Sequence, residues 1–340
     1  MRTGRWTGAA AGALVLTTLL GALHLQSEAP PLERASPQVL GVIGPTHDVV
    51  VEEPADVAII PPGDDLTGEL APVVPSPPPF VRARRGGPGD VFALVVGIND
   101  YPGSKHDLGA AVADADTVDA ALAGFGVPAA NRVVLRDGQA RRAQIVRSLE
   151  ALAATAGPGS TVVFSYSGHA RRLDSDTAAM VAADGGLIRD DELAALLAPL
   201  TSQRVWLLMA SCFAGNFTEA LAPGRILTAA AGPNSLAYES PSLRGSYLVH
   251  HMVQEGWLEG RAGASVQEAF AYAQARIRDQ YPNREPMEID AAGQPMRLGM
   301  HSPGRTRSSS PPGSPPSSPP PSAPPSDPPK KTCTLLVLCR

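Results

Sequence analysis

Two short stretches constrain this chain more than anything else in it. Residues 161–170 read TVVFSYSGHA and residues 204–215 read RVWLLMASCFAG. Each begins as a run of β-branched, aliphatic and aromatic residues and ends in small residues around one reactive side chain, His169 in the first and Cys212 in the second. A strand buried on both faces of a parallel sheet reads as a continuous apolar run rather than an alternating one. Open α/β sheets carry their sites beyond the carboxyl ends of the strands. If the two runs are neighbouring strands, both side chains emerge on one rim, where a thiol and an imidazole make a nucleophile and its base. A lone cysteine after a strand is ordinarily a small buried hydrophobe. Two such groups at matching strand ends, one crossover apart, favour the chemical reading over the bland one. His106 in a loop, and His250 and His251 in a helical stretch, are the rival bases.

The surrounding pattern alternates strand and helix. Residues 91–98 (VFALVVGI) read as a central strand and 99–103 (NDYPG) as a turn. Apolar spacing predicts helices over 107–125 and 139–156, with a short strand at 132–135 between them. A small hairpin or loop is expected over 174–186, a helix over 190–200 with acids in its first turn, and a fifth strand at 225–231. Amphipathic helices follow at 245–257 and 265–281, and an edge strand is expected at 295–298. This alternation predicts an α/β fold with a mostly parallel sheet and helices on both faces.

Composition marks where that domain stops. The chain has 340 residues, and most of its 35 prolines lie outside the middle. One folded domain over residues 90–300 follows. Residues 1–29 read as a signal peptide or membrane anchor, because Arg2 and Arg5 precede an apolar run from about Thr7 to Leu25. Export is therefore expected, secreted, periplasmic or tethered. Residues 30–89 read as a Pro-rich disordered linker, in which DVVVE and VAII are candidate docking strands and Arg82, Arg84 and Arg85 an accessible processing site. Residues 301–330 read as a Ser/Pro-rich disordered tail, and residues 331–340 as a short tag holding Cys333 and Cys339. Those two cysteines either pair with each other, leaving Cys212 as the reactive thiol, or are inconsequential tail residues. A net charge of −5 without a dense basic face argues against a nucleic-acid partner.

Cysteine attacks as thiolate, so it needs a neighbour that takes its proton or lowers its pKa, and histidine serves near neutrality. The small residues after Cys212 leave backbone N–H groups to face a developing oxyanion.

Residues 91–298 resemble the caspase-like cysteine peptidases, in particular the metacaspase type found in bacteria. The resemblance rests on ordered blocks: VVGINDYPG, DLGAAVADADTV, VVFSYSGHA, RDDELAALL, VWLLMASCFAG, AYES and PNREPMEID. His169 and Cys212 lie 43 positions apart, near the ~50 of this class. The resemblance implies a caspase-like sheet of about six strands and peptide-bond hydrolysis, with Cys212 as nucleophile and His169 as general base and acid. It implies an oxyanion hole from the N–H groups of Ala170 and Cys212, and a pocket for a basic side chain that includes Asp114. The family usually has Asp where this chain has Ala210, His at Phe213 and Gly at Ala170. One carboxylate holds an Arg or Lys less well than two. No cofactor is required, but many metacaspases use calcium as an activator, and Asp184, Asp190 and Asp191 are candidate oxygen ligands. A helix N-terminus explains the latter two equally well. The expected partner is a peptide or protein substrate, with the membrane as a second through residues 1–29. The alternative is a caspase-like module that binds peptides without cutting them.

Overall fold

The computed structural model describes residues 85–201 and 203–299, together with Val57, Ala58, Pro72, Val74, Pro75, Pro77 and Phe80. The N-terminal targeting stretch, the DVVVE stretch, the Ser/Pro tail and the tag with Cys333 and Cys339 lie outside the described residues.

In chain order the elements are β1 (Val57–Ala58), β2 (Val91–Gly97), α1 (Ala111–Gly124), β3 (Arg132–Arg136), α2 (Arg142–Thr155), β4 (Thr161–Ser167), β5 (Ala170–Arg172), β6 (Ala178–Val181) and β7 (Leu187–Arg189). There follow α3 (Asp190–Leu197), β8 (Arg204–Ala210), β9 (Arg225–Ala229), β10 (Tyr238–Ser240), β11 (Gly245–Ser246), α4 (Tyr247–Val249), α5 (Val266–Gln280) and β12 (Met287–Asp290). The main sheet has six strands in the order β12-β9-β8-β4-β2-β3. All are parallel except β12, which runs antiparallel to β9. The α/β class, the mostly parallel sheet and the helices on both faces are as the sequence implies.

Every residue of β2 and β4 is buried, which explains their unbroken apolar runs. Phe92, Leu94, Phe164 and Leu207 fill one face of the sheet with Ile145 and Leu149 of α2 and Leu193 and Leu197 of α3. Val95, Val163, Trp206 and Leu208 fill the other with Val118 and Leu122 of α1 and Phe270 of α5. Each large apolar side chain contributes roughly 1.5–3 kcal/mol on burial.

Several boundaries differ from the sequence reading, and each difference has a local cause. Helix α1 starts at Ala111 rather than 107, because Leu108 N–H donates to Asn99 O and the Glu239 carboxylate accepts from the amides of Gly109 and Ala110. The sixth strand is Met287–Asp290, not 295–298. Met296 and Leu298 are apolar because they pack against the helical layer, and only an isolated bridge joins Arg297 to Ser265. The helical stretch expected at 245–257 opens with strand β11 and continues through α4 into a π-helix, His250–Leu258. The hairpin expected over 174–186 is β6 leading to β7, with β5 paired on its other side. Part of VAII is indeed a strand, β1. Phe80, also from the Pro-rich stretch, packs edge-on against Phe92 at 6.3 Å.

Candidate active site

Strands β4 and β8 pair in parallel with Ser167 opposite Ala210. His169 and Cys212 each follow two residues after that matched pair, so the two turns leave the sheet side by side at its carboxyl rim. Gly168 N–H reaches Ala210 O at 3.4 Å and ties one turn to the other. Both side chains are buried, His169 at 1 % exposure and Cys212 at 0 %.

The His169 turn is clamped by two tyrosine hydroxyls. Its N–H donates to Tyr101 Oη at 2.8 Å. Its carbonyl accepts from Tyr166 Oη at 2.5 Å, which lies 2.9 Å from Val181 O as well. The two hydroxyls also hydrogen-bond each other, and burial raises the pKa of both phenols. Gly168 is required by close approach, since a Cβ there would stand 2.5 Å from Tyr101 Oη and 2.8 Å from Tyr166 Oη. The imidazole packs on the Tyr101 ring with centroids 4.7 Å apart. His169 Nε2 lies 2.8 Å from His106 O, while Nδ1 is buried with no hydrogen-bond partner. A carbonyl only accepts, so Nε2 carries the proton and Nδ1 presents its lone pair. Burial lowers the His169 pKa to about 4, leaving the ring neutral at pH 7.

The Cys212 turn is held differently. Phe213 adopts a left-handed conformation, φ 53° and ψ 18°, a sparsely populated region for a bulky residue. Its N–H donates to Ser235 O at 2.9 Å, and its carbonyl accepts from Asn216 N–H at 3.0 Å. Cys212 Sγ accepts from Ala237 N–H at 3.2 Å. The segment 231–237 therefore lies over the thiol, with Ala231, Ala237 and Leu108 in apolar contact around it. Burial pushes the thiol pKa up to about 11, with the Ala237 amide acting weakly the other way. Gly215 fits because a Cβ there would stand 2.6 Å from Met287 Sδ and 2.7 Å from Pro233 N.

Ala170 begins β5. Val181 N–H donates to His169 O at 2.9 Å, so the facing pair Ala170–Met180 is of the non-hydrogen-bonded kind and the Ala170 N–H points away from β6.

Asp114 is buried at the start of α1, its oxygens accepting from Ser167 Oγ at 2.6 Å and Ser246 N–H at 2.9 Å. Burial raises its pKa to about 6 against those hydrogen bonds. It borders a cavity of about 460 Å³ that Asp116, Glu259, Arg244 and His250 also line. Ala210 is buried at the end of β8 and contributes its carbonyl to the turn tie.

The three remaining aspartates accept from backbone amides. Asp184 accepts from Arg142 N–H at 3.0 Å, capping α2 from a distant segment. Asp190 accepts from Ala178 N–H at 3.2 Å and from Asp191 N–H at 2.9 Å. Asp191 accepts from Glu192 N–H and pairs with Arg189 at 3.0 Å, which lowers its pKa. Among the described residues, the potential ligand atoms gathered within 4.8 Å belong instead to His250, His251 and Glu255. Glu255 is already engaged by His251 at 2.9 Å, Arg261 at 3.1 Å, Tyr272 at 3.2 Å and Arg276 at 3.5 Å. The rival bases thus divide, with His106 meeting His169 through its backbone and the helical pair lying in an ion network.

Sequence reasoning missed Tyr101, which it read as turn chemistry, and it missed Tyr166, Ser167 and Ser246. The signal for the tyrosines was present, since a Tyr inside a buried strand or its following turn needs a partner for its hydroxyl.

The Peptidase C14 family model, described as the caspase domain, matches residues 90–292. A crystal structure of a Geobacter sulfurreducens protein is similar over 60% of this chain and 94% of that one, at 19% identity and a TM-score of 0.49. No curated protein matches the chain. Among the described residues no helix is long and apolar enough to cross a membrane.

Proposed function

This chain belongs to the caspase-domain family of cysteine peptidases, and on that premise we propose that it is an endopeptidase working through Cys212 and His169. The observation that carries this reading is the matched register of β4 and β8, which sets the His169 and Cys212 turns side by side, together with an unpartnered Nδ1 on His169. His169 Nδ1 takes the thiol proton as Sγ attacks the scissile carbonyl. The C–N bond then breaks, the amine leaves with that proton, and water hydrolyses the thioester by the reverse roles. The outward N–H of Ala170 and the N–H of Cys212 receive the oxyanion. His106 O holds the ring in the tautomer this requires.

Preference for Arg or Lys before the cut is supported by the cavity beside Asp114, whose carboxyl is ionised above about pH 6. The thiol's burial and raised pKa favour the alternative, a module that binds peptides without cutting them. Export rests on Arg2, Arg5 and the apolar run after them. Calcium is proposed only as an activator to be varied.

The test is to incubate the full chain with fluorogenic peptides ending in Arg, Lys or Asp, with and without calcium. Cleavage after Arg or Lys that disappears in Cys212→Ala supports the enzyme. No cleavage of any peptide, with Cys212 inert to an electrophilic probe, supports the binding module. Self-cleavage near residues 82–85 is expected as well, and its persistence in Cys212→Ala would assign it to another protease.

A further inference from the structure

A cation and an aromatic ring meet where the chain runs on from the two reactive residues. Strand β5 begins at Ala170, directly after His169, and ends at the exposed Arg172. Successive side chains on a strand point to opposite faces. Arg171 therefore shares a face with Arg189, since both are register partners of Ala179, while Arg172 points the other way. On that side its guanidinium carbon lies 5.5 Å from the centroid of the half-buried Phe213 ring, and Phe213 directly follows Cys212. Arg172 Nη1 donates to Asn234 Oδ1 at 2.7 Å, in the segment that covers the thiol.

This arrangement holds a charge in place without neutralising it. The ring takes the face of the guanidinium and leaves its N–H edges available. Among the described residues Asn234 is its one hydrogen-bond partner, and that amide carries no charge. A carboxylate that enters replaces a neutral acceptor with an ionised one, which makes the shorter and stronger bond.

The mechanism fixes which end of a bound peptide meets this charge. His169 hands its proton to the leaving amine, so the residues after the cut lie on the His169 side of the nucleophile. Arg172 reaches back from the end of β5 to Phe213, toward the first residues of that leaving segment, each of which adds about 3.3 Å when extended.

We propose that Arg172, seated on the Phe213 ring, is a specificity residue that takes an Asp or Glu side chain from the first two residues after the scissile bond. The proposal rests on the reading of Cys212 and His169 as the peptidase pair. Asn234 holds the guanidinium before a substrate arrives and gives it up to the substrate carboxylate. The same exchange loosens the segment over the thiol.

The experiment uses the full chain and internally quenched peptides with Arg before the cut and Glu, Ser or Lys at both positions after it. The kcat/KM for the Glu peptide is expected to be roughly tenfold that for the Lys peptide, the scale of one exposed ion pair gained and one like charge avoided. Arg172→Gln should bring this ratio near one. Asn234→Ala, which removes only the neutral partner, should keep the ratio or raise it. A purely structural latch predicts that both variants change the ratio alike, and that result overturns the inference. A parent ratio near one, or a ratio that survives Arg172→Gln, overturns it as well. If no peptide is cut, the peptidase reading fails, and the subsite is judged by fluorescence anisotropy of the same peptides on the parent and Arg172→Gln chains. Glu-selective binding that is lost with Arg172 upholds an acidic-peptide site on a binding module, and equal binding of all three peptides overturns it.

Discussion

The turns that deliver His169 and Cys212 leave the sheet side by side, yet they are built on opposite plans. The His169 turn is clamped from within, its N–H and carbonyl gripped by the hydroxyls of Tyr101 and Tyr166, both rooted in the core. The Cys212 turn is held from above, by Ser235 O on Phe213 N–H and Ala237 N–H on the thiol. That covering segment is itself secured near the surface, by Arg172 to Asn234 at 2.7 Å and Asn216 to Pro233 at 2.8 Å. The difference teaches that the His169 imidazole is held from the core while the Cys212 thiol is covered by a segment secured near the surface. On the proposed function a peptide displaces part of that cover, because His169 and Cys212 are both buried.

Substitutions separate the two plans, and the largest effect belongs to the nucleophile. Cys212→Ala is expected to lower kcat by at least about 10³-fold on an Arg-ended peptide, with a modest fall in thermal midpoint from loss of the acceptor for Ala237 N–H. Retained turnover would move the nucleophile elsewhere. Gly168→Ala should cost about 1–3 kcal/mol by overpacking against both hydroxyls and lower kcat about 10²-fold by displacing the imidazole. Denaturant unfolding alongside kinetics reads both numbers, and a variant as stable as the parent would show that the clamp yields.

Tyr101→Phe adds no bulk, and it removes the acceptor for the buried His169 amide together with the hydrogen bond to Tyr166 Oη. The expected loss is about 1–3 kcal/mol of stability, with kcat reduced and KM held if the hydroxyl positions His169. On the covering side, Asn234→Ala should change stability by less than about 0.5 kcal/mol, since the bond is exposed. Alkylation of Cys212 should nonetheless speed up, and an unchanged rate would mean the cover is as rigid as the clamp.

The pH dependence of stability sharpens the same contrast. The ordinary imidazole pKa is 6.5 and that of folded His169 about 4. Between these values the unfolded chain binds more protons, so this residue's contribution falls as pH drops from 6.5 toward 4, with no further loss below. Subtracting the profile of His169→Gln isolates it, and parallel profiles in that window would contradict the buried neutral ring.

The sheet and the rim pair were legible because burial on two faces writes itself as unbroken apolar runs, as in β4 and β8. Edges were not. Strand β12 is only half-buried along MEID, so its pattern is weak, whereas Met296 and Leu298 look strand-like while packing against helices. The need of the two tyrosine hydroxyls for partners was legible, but which groups they meet, and the covering segment, were not. Tyr101 and His169, or Ser235 and Phe213, meet only after the chain has folded, and nothing in local spacing announces such pairs. The Asp114 position was legible, but its engagement by Ser167 and Ser246 was not.

The central claim is that His169 Nδ1 takes the proton of the Cys212 thiol. It is tested most directly by the second-order rate of Cys212 alkylation at pH 7 in the parent chain and in His169→Gln, with hydrogen exchange confirming that the sheet is intact. The account predicts a fall of about tenfold or more on loss of the base. Equal rates in the two proteins would contradict it.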